Sequence, residues 1–188
     1  MILSQNIKEN TTASHQKLEG IVVRQLKSVR SNTDYADVLK KFYAYFHAVE
    51  RAIAPFITKD VLSDYSERRN SSYIKQDIEE LGSNVDELSV ATAPTVSNAL
   101  EALAALYVLE GSIMGGPYIV QMLNKYGISS GTSFFSGYGD DTKKMWGAFT
   151  TVLNAYGEDP ATHDRAIAIA NDTFSKFGDV FAIATIEK

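Results

Sequence analysis

The chain contains only three histidines, and one of them has the surroundings of a metal ligand. Three apolar residues follow His15 at helical steps: Leu18, Val22 and Leu26. This spacing predicts that His15 lies on the buried face of a helix. Glu19, four residues on, would fix the imidazole tautomer and leave the other nitrogen free to bind a metal. The alternative is a structural pair of His15 and Glu19 at the edge of a core.

The other two histidines offer less to a metal site. His47 precedes Glu50 by three residues, and His163 falls in the first turn of the last predicted helix. We expect both to be structural or surface residues. Carboxylate-bridged di-iron bundles need the spacing Glu-x-x-His twice, and the chain contains it nowhere. The sequence therefore argues against a di-iron site.

A glycine-rich run at 111–117, Gly-Ser-Ile-Met-Gly-Gly-Pro, interrupts a long helical pattern. Each glycine destabilises a helix interior by about 1 kcal/mol relative to alanine, and the proline removes a hydrogen bond. One interpretation is close helix packing through Gly111 and Gly115, which are four residues apart. The other is a bent helix whose bare backbone approaches a flat ligand. Both interpretations favour a bend.

Composition excludes several classes of chemistry. The chain has 188 residues and no cysteine, which removes thiolate nucleophiles, cysteine-ligated zinc, iron–sulfur clusters and thiolate-ligated haem. A net charge of −5 has the wrong sign for a protein that binds nucleic acid. Residues 1–9 are polar and lack the features of a signal peptide, so we expect a cytoplasmic protein.

Apolar residues recur at three- and four-residue steps through most of the chain, and no segment alternates as a strand does. The pattern predicts an all-α fold of six to eight helices in one compact domain, residues 1–188. The expected helices span 4–29, 33–54, short segments near 61–65 and 73–81, 95–126, 142–156 and a last helix that follows Asp159-Pro160. Residues 128–140 are rich in glycine and serine and predict a loop. Polar side chains at Glu101, Glu110 and Gln121 make a membrane span a poor interpretation of 95–126.

His15 and the glycine run together resemble the haem oxygenase family, especially its bacterial members. Residues 11–19, Thr-Thr-Ala-Ser-His-Gln-Lys-Leu-Glu, are similar to the family's segment in which a glutamate follows the proximal histidine by four residues. Residues 106–116, Leu-Tyr-Val-Leu-Glu-Gly-Ser-Ile-Met-Gly-Gly, look like its glycine-rich distal helix. Phe174 and Phe181 fall where the family places aromatic residues in its last helix. The resemblance spans nearly the whole chain.

The resemblance implies a haem oxygenase-like fold that clamps haem between the first helix and a kinked distal helix. His15 would be the axial iron ligand, oriented by Glu19. Bare backbone at Gly111, Gly115 and Gly116 would let bound dioxygen bend toward the porphyrin edge. Haem would be both substrate and cofactor, converted to biliverdin, carbon monoxide and ferrous iron. Electrons would come from a ferredoxin or a flavoprotein reductase, and the product would serve iron recovery or supply a phytochrome with its bilin.

The resemblance also assigns the remaining site residues. Gly111, Ser112 and Gly115 would form the catalytic distal segment, with Ser112 where animal members carry an acidic residue that orders water. Trp146 and Thr150 stand where better-known members place basic partners of the haem propionates. The other expected haem contacts are Lys8, Glu19, Tyr107, Gly116, Lys143, Lys144, Phe174 and Phe181. For the three lysines, the alternative is ordinary solvation.

The departures from the family pattern leave alternatives open. Ser112, Trp146 and Thr150 favour a haem-binding or haem-sensing protein that keeps His15 without turnover. The thiamin-degrading branch of the same fold uses a catalytic cysteine, and this chain has none. The leading hypothesis is a haem-degrading monooxygenase that produces biliverdin.

Overall fold

The computed structural model describes residues 1–182, which form eight α-helices joined by turns and short 3₁₀ segments. The helices are α1 (Leu3–Asn10), α2 (Thr12–Lys27), α3 (Asn32–Ile53), α4 (Ser71–Glu80), α5 (Ala99–Gly111), α6 (Gly116–Lys125), α7 (Thr142–Tyr156) and α8 (His163–Ala182). No strand occurs in this part of the chain. The predicted all-α fold of six to eight helices is confirmed. Residues 183–188 of the predicted 1–188 domain lie outside the described residues.

Helix α5 lies at the centre of the fold, and every residue from 101 to 110 is buried. A helix that is apolar all round is typical of such a position. Helix α8 packs against both α5 and α2, so it connects the central helix with the helix that carries His15. Aromatic rings of α3 and α8 pack together where these helices meet, mostly in T-shaped pairs: Phe42, Tyr45, Phe46, Phe177 and Phe181.

The first predicted helix, residues 4–29, is wrong in one respect, because the structure divides it into α1 and α2 at Thr11. The backbone of Thr11 leaves helical geometry at φ −114° and ψ 3°. The apolar pattern gives no sign of this break, since Leu18 lies eleven positions after Ile7, about three full helical turns, and the stripe continues in phase. The break lets α1 pack against α7 and α8.

Two other predicted boundaries differ from the structure. The segment near 61–65 forms turns, followed by the 3₁₀ segment Tyr65–Glu67, instead of a short helix. The long helix expected from residue 95 begins only at α5, because Asn98 caps it there. The Asn98 side chain accepts a hydrogen bond from the N–H of Glu101 at 2.9 Å. Side chains that cap a helix fix its first residue more sharply than apolar spacing does.

The long glycine-rich helix is present as two helices with a bend between them. Helix α5 ends at Gly111, a 3₁₀ segment covers Ser112–Met114, and α6 begins at Gly116. The two halves meet at 44°. Pro117 fits in the first turn of α6 because no intrahelical hydrogen bond needs its missing N–H. The predicted kinked glycine-rich helix is confirmed.

Within residues 1–182, no helix taken singly has the length and apolar composition needed to cross a membrane, although α5 and α6 together meet that criterion.

Candidate active site

His15 lies on α2, about one turn before the buried residue Leu18 and two turns before the buried residue Val22, and its side chain is exposed. The expectation that His15 would be buried is therefore wrong. Its imidazole makes a T-shaped contact with the ring of Phe174 on α8, with ring centroids 5.7 Å apart and planes at 82°. Phe174 thus supports the ring on one side and leaves the histidine accessible. An accessible imidazole is available as a metal ligand.

Glu19 lies one turn after His15 and is also exposed. Among the described residues, no ion pair joins these two side chains. Residues four apart on a helix are neighbours, so a rotamer change brings Glu19 within reach of the imidazole. Its role in orienting His15 stays a prediction.

The three glycines of the bend have different surroundings. A Cβ at Gly111 would lie 3.7 Å from the indole of Trp146, which is ordinary contact. A Cβ at Gly115 would meet one backbone oxygen at 3.9 Å and otherwise open space. A Cβ at Gly116 would overlap the carbonyl oxygen of Phe135. Close helix packing through Gly111 and Gly115 is therefore not observed, and Gly115 presents bare backbone to open space. The tightly packed glycine is Gly116, which lies against the loop that carries Phe135.

A buried cation that sequence reasoning missed lies on the inner side of the bend. The guanidinium of Arg69 donates hydrogen bonds to the carbonyls of Leu109 and Phe134 at 3.2 and 2.8 Å, and to the hydroxyl of Ser112 at 2.5 Å. It also lies 4.2 Å from the centroid of the Phe134 ring. Burial lowers the pKa of Arg69 to about 10, so it stays charged at neutral pH. Arg69 ties the end of α5, the 3₁₀ segment and the 128–140 loop together.

The hydroxyl of Ser112 makes two hydrogen bonds on this inner side of the bend. It donates to the carbonyl of Leu109 at 2.6 Å and accepts from Arg69. A hydroxyl has one proton to donate, so Ser112 offers no hydrogen to a ligand while it bonds Leu109. A distal role for Ser112 would have to use its remaining lone pair or its backbone.

A second buried network, of hydrogen bonds and ion pairs, begins at Glu110, the residue before the bend. The carboxylate of Glu110 accepts hydrogen bonds from Arg68 at 2.8 Å and from the phenol of Tyr138 at 3.1 Å. Arg68 also pairs with Asp64 at 2.8 Å. Burial, with the nearby Glu110 charge, raises the pKa of Tyr138 and keeps its phenol protonated as a donor. This network fastens α5 to the segment that precedes α4.

The lysines expected near a ligand carboxylate are all exposed. Lys8 lies on α1, and Lys143 and Lys144 lie in the first turn of α7. None of them forms an ion pair in the described part of the chain. Thr150 donates its hydroxyl hydrogen to the carbonyl of Gly147 at 3.1 Å, within its own helix. The lysines are therefore available to a carboxylate ligand, and Thr150 is engaged with α7.

The predicted aromatic contacts do not all lie at the candidate site. Phe174 lies beside the imidazole, as described above. Tyr107 lies on α5 with its ring centroid 5.2 Å from that of Trp146. Phe181 packs inside the aromatic core, with its centroid 5.7 Å from that of Phe42. The structure brings Phe174 to His15 and Tyr107 to the bend, but it places Phe181 among core rings.

The other two histidines have the structural and surface positions expected for them. His47 is exposed and stacks on Tyr43. His163 is buried, and its Nε2–H donates to the carbonyl of Gly157 at 2.8 Å while its Nδ1 accepts from Asn6 at 3.0 Å. Within residues 1–182, no three His, Asp or Glu side chains group so as to hold a metal ion.

Comparison with known proteins decides the family. The family model described as "Heme oxygenase" matches residues 1–183. The chain belongs to the haem oxygenase family. A heme oxygenase from Xanthomonas campestris is 30% identical over 145 residues, which cover 76% of this chain and 86% of that protein. Heme oxygenase PigA from Pseudomonas aeruginosa is 22% identical over 179 residues, which cover 94% of this chain and 90% of that protein.

Solved structures share the haem oxygenase fold. Heme oxygenase from Neisseria meningitidis matches with a TM-score of 0.82 at 21% identity, covering 100% of this chain and 96% of that one. Heme oxygenase-1 from the cyanobacterium Synechocystis, in complex with heme, matches with a TM-score of 0.73 at 24% identity, covering 97% and 91%. These matches establish the fold, and family membership makes the protein an enzyme of haem degradation.

The residues of this haem oxygenase fit a haem group. His15 offers an accessible imidazole, and Phe174 offers an apolar ring beside it. The backbone of Gly115 borders an open space, which a side chain at position 115 would partly fill. Exposed lysines on α1 and α7 suit the two carboxylates of the ligand. A flat, mostly apolar molecule with acidic substituents therefore matches the chemistry of these side chains.

Proposed function

We propose that this haem oxygenase converts haem to biliverdin, carbon monoxide and ferrous iron, with dioxygen and with electrons from an external reductase. The observation that carries the proposal is an accessible imidazole at His15 combined with bare backbone at Gly115. The helices that carry them are neighbours, since α2 packs against α6, and both α2 and α5 pack on α8. One flat ligand can therefore meet both residues.

Haem, when bound, supplies the iron at which dioxygen is reduced and the meso carbon that is oxidised. His15 would hold this iron through one imidazole nitrogen, which must be neutral to act as a ligand. Glu19 accepts a hydrogen bond from the other nitrogen and so fixes the tautomer. Phe174 limits rotation of the imidazole through the T-shaped contact between the two rings.

The distal side of the site is built from backbone. Gly115 has no side chain to fill the open space next to it, where a bound haem would be accommodated, and the Ser112 proton is directed at the Leu109 carbonyl. While it bonds Leu109, the Ser112 hydroxyl has no proton to donate on this side, so protons would have to arrive through water bound to main-chain groups. Arg69 keeps the bend in shape, because it bonds both the end of α5 and the 3₁₀ segment.

The residues that favoured a non-catalytic haem-binding protein have packing roles in the structure. Ser112 bonds Arg69 and Leu109, and Trp146 packs on Tyr107. Thr150 bonds a carbonyl of its own helix. Membership of the enzyme family does not favour the alternative.

A redox partner needs a docking surface, and α2 offers a basic one. Lys17, Arg24 and Lys27 are exposed on α2, and Lys125 is exposed at the end of α6. This surface contrasts with the net charge of −5 of the whole chain. An acidic ferredoxin or the acidic surface of a flavoprotein reductase complements it. Turnover supported by such a partner should slow as salt screens these charges.

Addition of haemin to the purified protein, followed by a ferredoxin with its reductase and NADPH under air, tests the proposal. We expect a Soret band to form on binding and then to fall as biliverdin absorbance grows, with release of carbon monoxide and iron. His15→Ala is the matched control and should do neither without added imidazole. A Soret band that persists through many equivalents of reductant would instead support a haem-binding protein without turnover.

A further inference from the structure

One side chain of α8 bonds both of the helices that meet at Thr11. The Nδ2–H of Asn171 donates a hydrogen bond to the carbonyl of Asn10, the last residue of α1, at 3.1 Å. Its Oδ1 accepts a hydrogen bond from the hydroxyl of Ser14 on α2 at 2.6 Å. The two contacts lie on either side of Thr11, where the backbone leaves helical geometry. Together these two hydrogen bonds form the Asn171 bridge.

The break leaves carbonyl groups at the end of α1 that need other donors. The last carbonyls of a helix have no partner within that helix. The hydroxyl of Thr12 donates to the carbonyls of Lys8 and Glu9 at 3.0 and 3.3 Å, from the neighbouring turn. The carbonyl of Asn10 instead receives its hydrogen bond from Asn171, on a helix distant in sequence. The end of α1 is therefore fixed to α8 and not only to α2.

The Asn171 bridge lies next to the proposed iron ligand. Ser14 directly precedes His15 on α2, and Phe174 lies three residues after Asn171 on α8. Residues three apart on a helix are neighbours on its surface. Phe174 makes the T-shaped contact with the imidazole. Helix α8 therefore holds α2 at two adjacent points, through a hydrogen bond at Ser14 and through an aromatic contact at His15.

Rotation of α2 about its own axis would change the direction of the imidazole. Side-chain atoms at the outer surface of a helix lie about 5 to 6 Å from its axis, so a rotation of about 10° moves them by about 1 Å. Distances between a metal and its ligands vary by only about 0.2 Å. The hydrogen bond between Ser14 and Asn171 opposes such a rotation, because a hydrogen bond requires both a short distance and a favourable angle.

We propose that Asn171 is a positioning residue for the iron ligand: the Asn171 bridge fixes the rotation of α2 and thereby the direction of the His15 imidazole. The proposal rests on the proposed haem site, in which His15 holds the iron. Phe174 supports the imidazole ring itself, whereas Asn171 acts through Ser14 on the helix that carries the ring. Loss of the bridge should therefore change how the histidine binds iron, beyond any change in stability.

Two variants remove the bridge. Asn171→Leu keeps a side chain branched at the same carbon and loses both hydrogen bonds, and Ser14→Ala loses one of them. In resonance Raman spectra of the ferrous haem complexes, both variants should show a shifted iron–histidine stretching band. Proton spectra of the ferric cyanide complexes should show changed haem methyl shifts, because these shifts depend on the orientation of the imidazole plane. Affinity for gallium protoporphyrin IX, a haem analogue that is not turned over, should fall roughly two- to tenfold.

Asn154→Leu is the matched control, because Asn154 on α7 holds α1 near its other end. Its Oδ1 accepts a hydrogen bond from the N–H of Ser4 at 2.8 Å. Loss of this contact should loosen α1 and lower stability toward urea, but the iron–histidine band, the methyl shifts and the porphyrin affinity should stay as in wild type. Ser175→Ala, at an exposed position of α8 beside Phe174, should change none of these quantities.

The outcomes separate the Asn171 bridge from the site on which it rests. A folded Asn171→Leu protein with the wild-type band, methyl shifts and affinity overturns the positioning role and leaves the haem site intact. Equal changes in Asn154→Leu also overturn it, because attachment of α1 alone would then explain them. If Asn171→Leu does not fold, the same measurements on Ser14→Ala decide. A wild-type protein that binds no haem, or binds it without an iron–histidine band, overturns the proposed function and the bridge together.

Discussion

Gly116 lies directly against the carbonyl oxygen of Phe135, so the start of α6 and the 128–140 loop touch through main-chain atoms. The loop is also held in place by Asp77, because the buried Asp77 carboxylate accepts hydrogen bonds from the N–H groups of Ser133 and Phe134 at 3.1 and 2.9 Å. Neither the backbone of Gly116 nor the carbonyl of Phe135 can move away to make room for a side chain. Gly116 is therefore required for packing, in contrast to its neighbour Gly115.

The two glycines should respond differently to substitution. Gly116→Ala should destabilise the ligand-free protein by about 1 to 3 kcal/mol, the usual effect of overpacking. Gly115→Leu should change stability by less than about 1 kcal/mol, since leucine favours the helix and its Cβ meets open space, but it should weaken haem binding or turnover. Urea denaturation and haem titration measure the two effects. Equal stability of Gly116→Ala and wild type, or normal haem chemistry in Gly115→Leu, would contradict this division.

His15 should be the only protein side chain that ligates the iron. His15→Ala should abolish the wild-type haem spectrum, and imidazole added to the buffer should restore it by occupying the vacated position. His47→Ala is the control, because His47 is exposed and stacks on Tyr43 away from Phe174. Absorbance spectra of the ferric and ferrous complexes measure the result. An unchanged histidine-ligated spectrum in His15→Ala would show that another residue binds the iron.

The helices and the bend could be predicted from the sequence because both leave local signals. Apolar residues at three- and four-residue steps mark the helices, and glycines with Pro117 mark the bend. The exposure of His15 could not be predicted in the same way. Periodicity relates His15 to the buried face of its own helix, but it does not say whether another element covers that face at His15.

The sequence did not indicate that Arg68 and Arg69 lie under the bend. Arg68 and Arg69 lie in a segment without helical pattern, where basic residues are normally solvated. Their partners are distant in sequence: Arg69 bonds Leu109, 40 residues away, and Arg68 bonds Glu110, 42 residues away. Only the tertiary fold brings such groups together, so a residue-by-residue pattern could not place them at the site.

Arg69 should be necessary for the shape of the bend. Arg69→Met should lower stability by about 1 to 3 kcal/mol, because three acceptors lose their donor, although removal of a buried charge offsets part of this loss. Arg69→Lys keeps the charge but lacks the planar fork that reaches Leu109 and Phe134 together, so it should also be destabilised. Haem affinity should fall in both variants.

Arg51→Met is the matched control for Arg69, since Arg51 is exposed at the end of α3. Urea denaturation of the ligand-free proteins and haem titration give the two quantities. Wild-type stability and wild-type haem affinity in Arg69→Met would show that the bend keeps its shape without the buried cation.

Glu50 should make part of the stability depend on pH. Its carboxylate accepts hydrogen bonds from the N–H and hydroxyl of Ser71 at 2.7 and 2.5 Å, at the start of α4. Burial nevertheless raises the pKa of Glu50 above its ordinary value of 4.5. A folded-state pKa above the unfolded one adds stability below the unfolded value, and this contribution is lost as pH rises through the folded pKa.

Glu50→Gln removes this titration and keeps the shape of the side chain. The stability of wild type relative to Glu50→Gln should therefore fall as pH rises from 4.5 through the folded pKa of Glu50, and then level off. Urea denaturation of both proteins across this range measures the difference. A difference that stays constant with pH would show that Glu50 has the same pKa in the folded and unfolded chains.

The exposed lysines should influence which meso carbon is opened. Lys8, Lys143 and Lys144 are flexible point charges, which fix a carboxylate less firmly than the planar fork of arginine. A haem held in this way presents more than one meso edge, so the product should be a mixture of biliverdin isomers. Chromatography of the products of Lys8→Ala, Lys143→Ala and Lys144→Ala should show altered ratios, with Lys75→Ala on α4 as the control. A single isomer, the same in every variant, would show that packing and not lysine charge sets the orientation of haem.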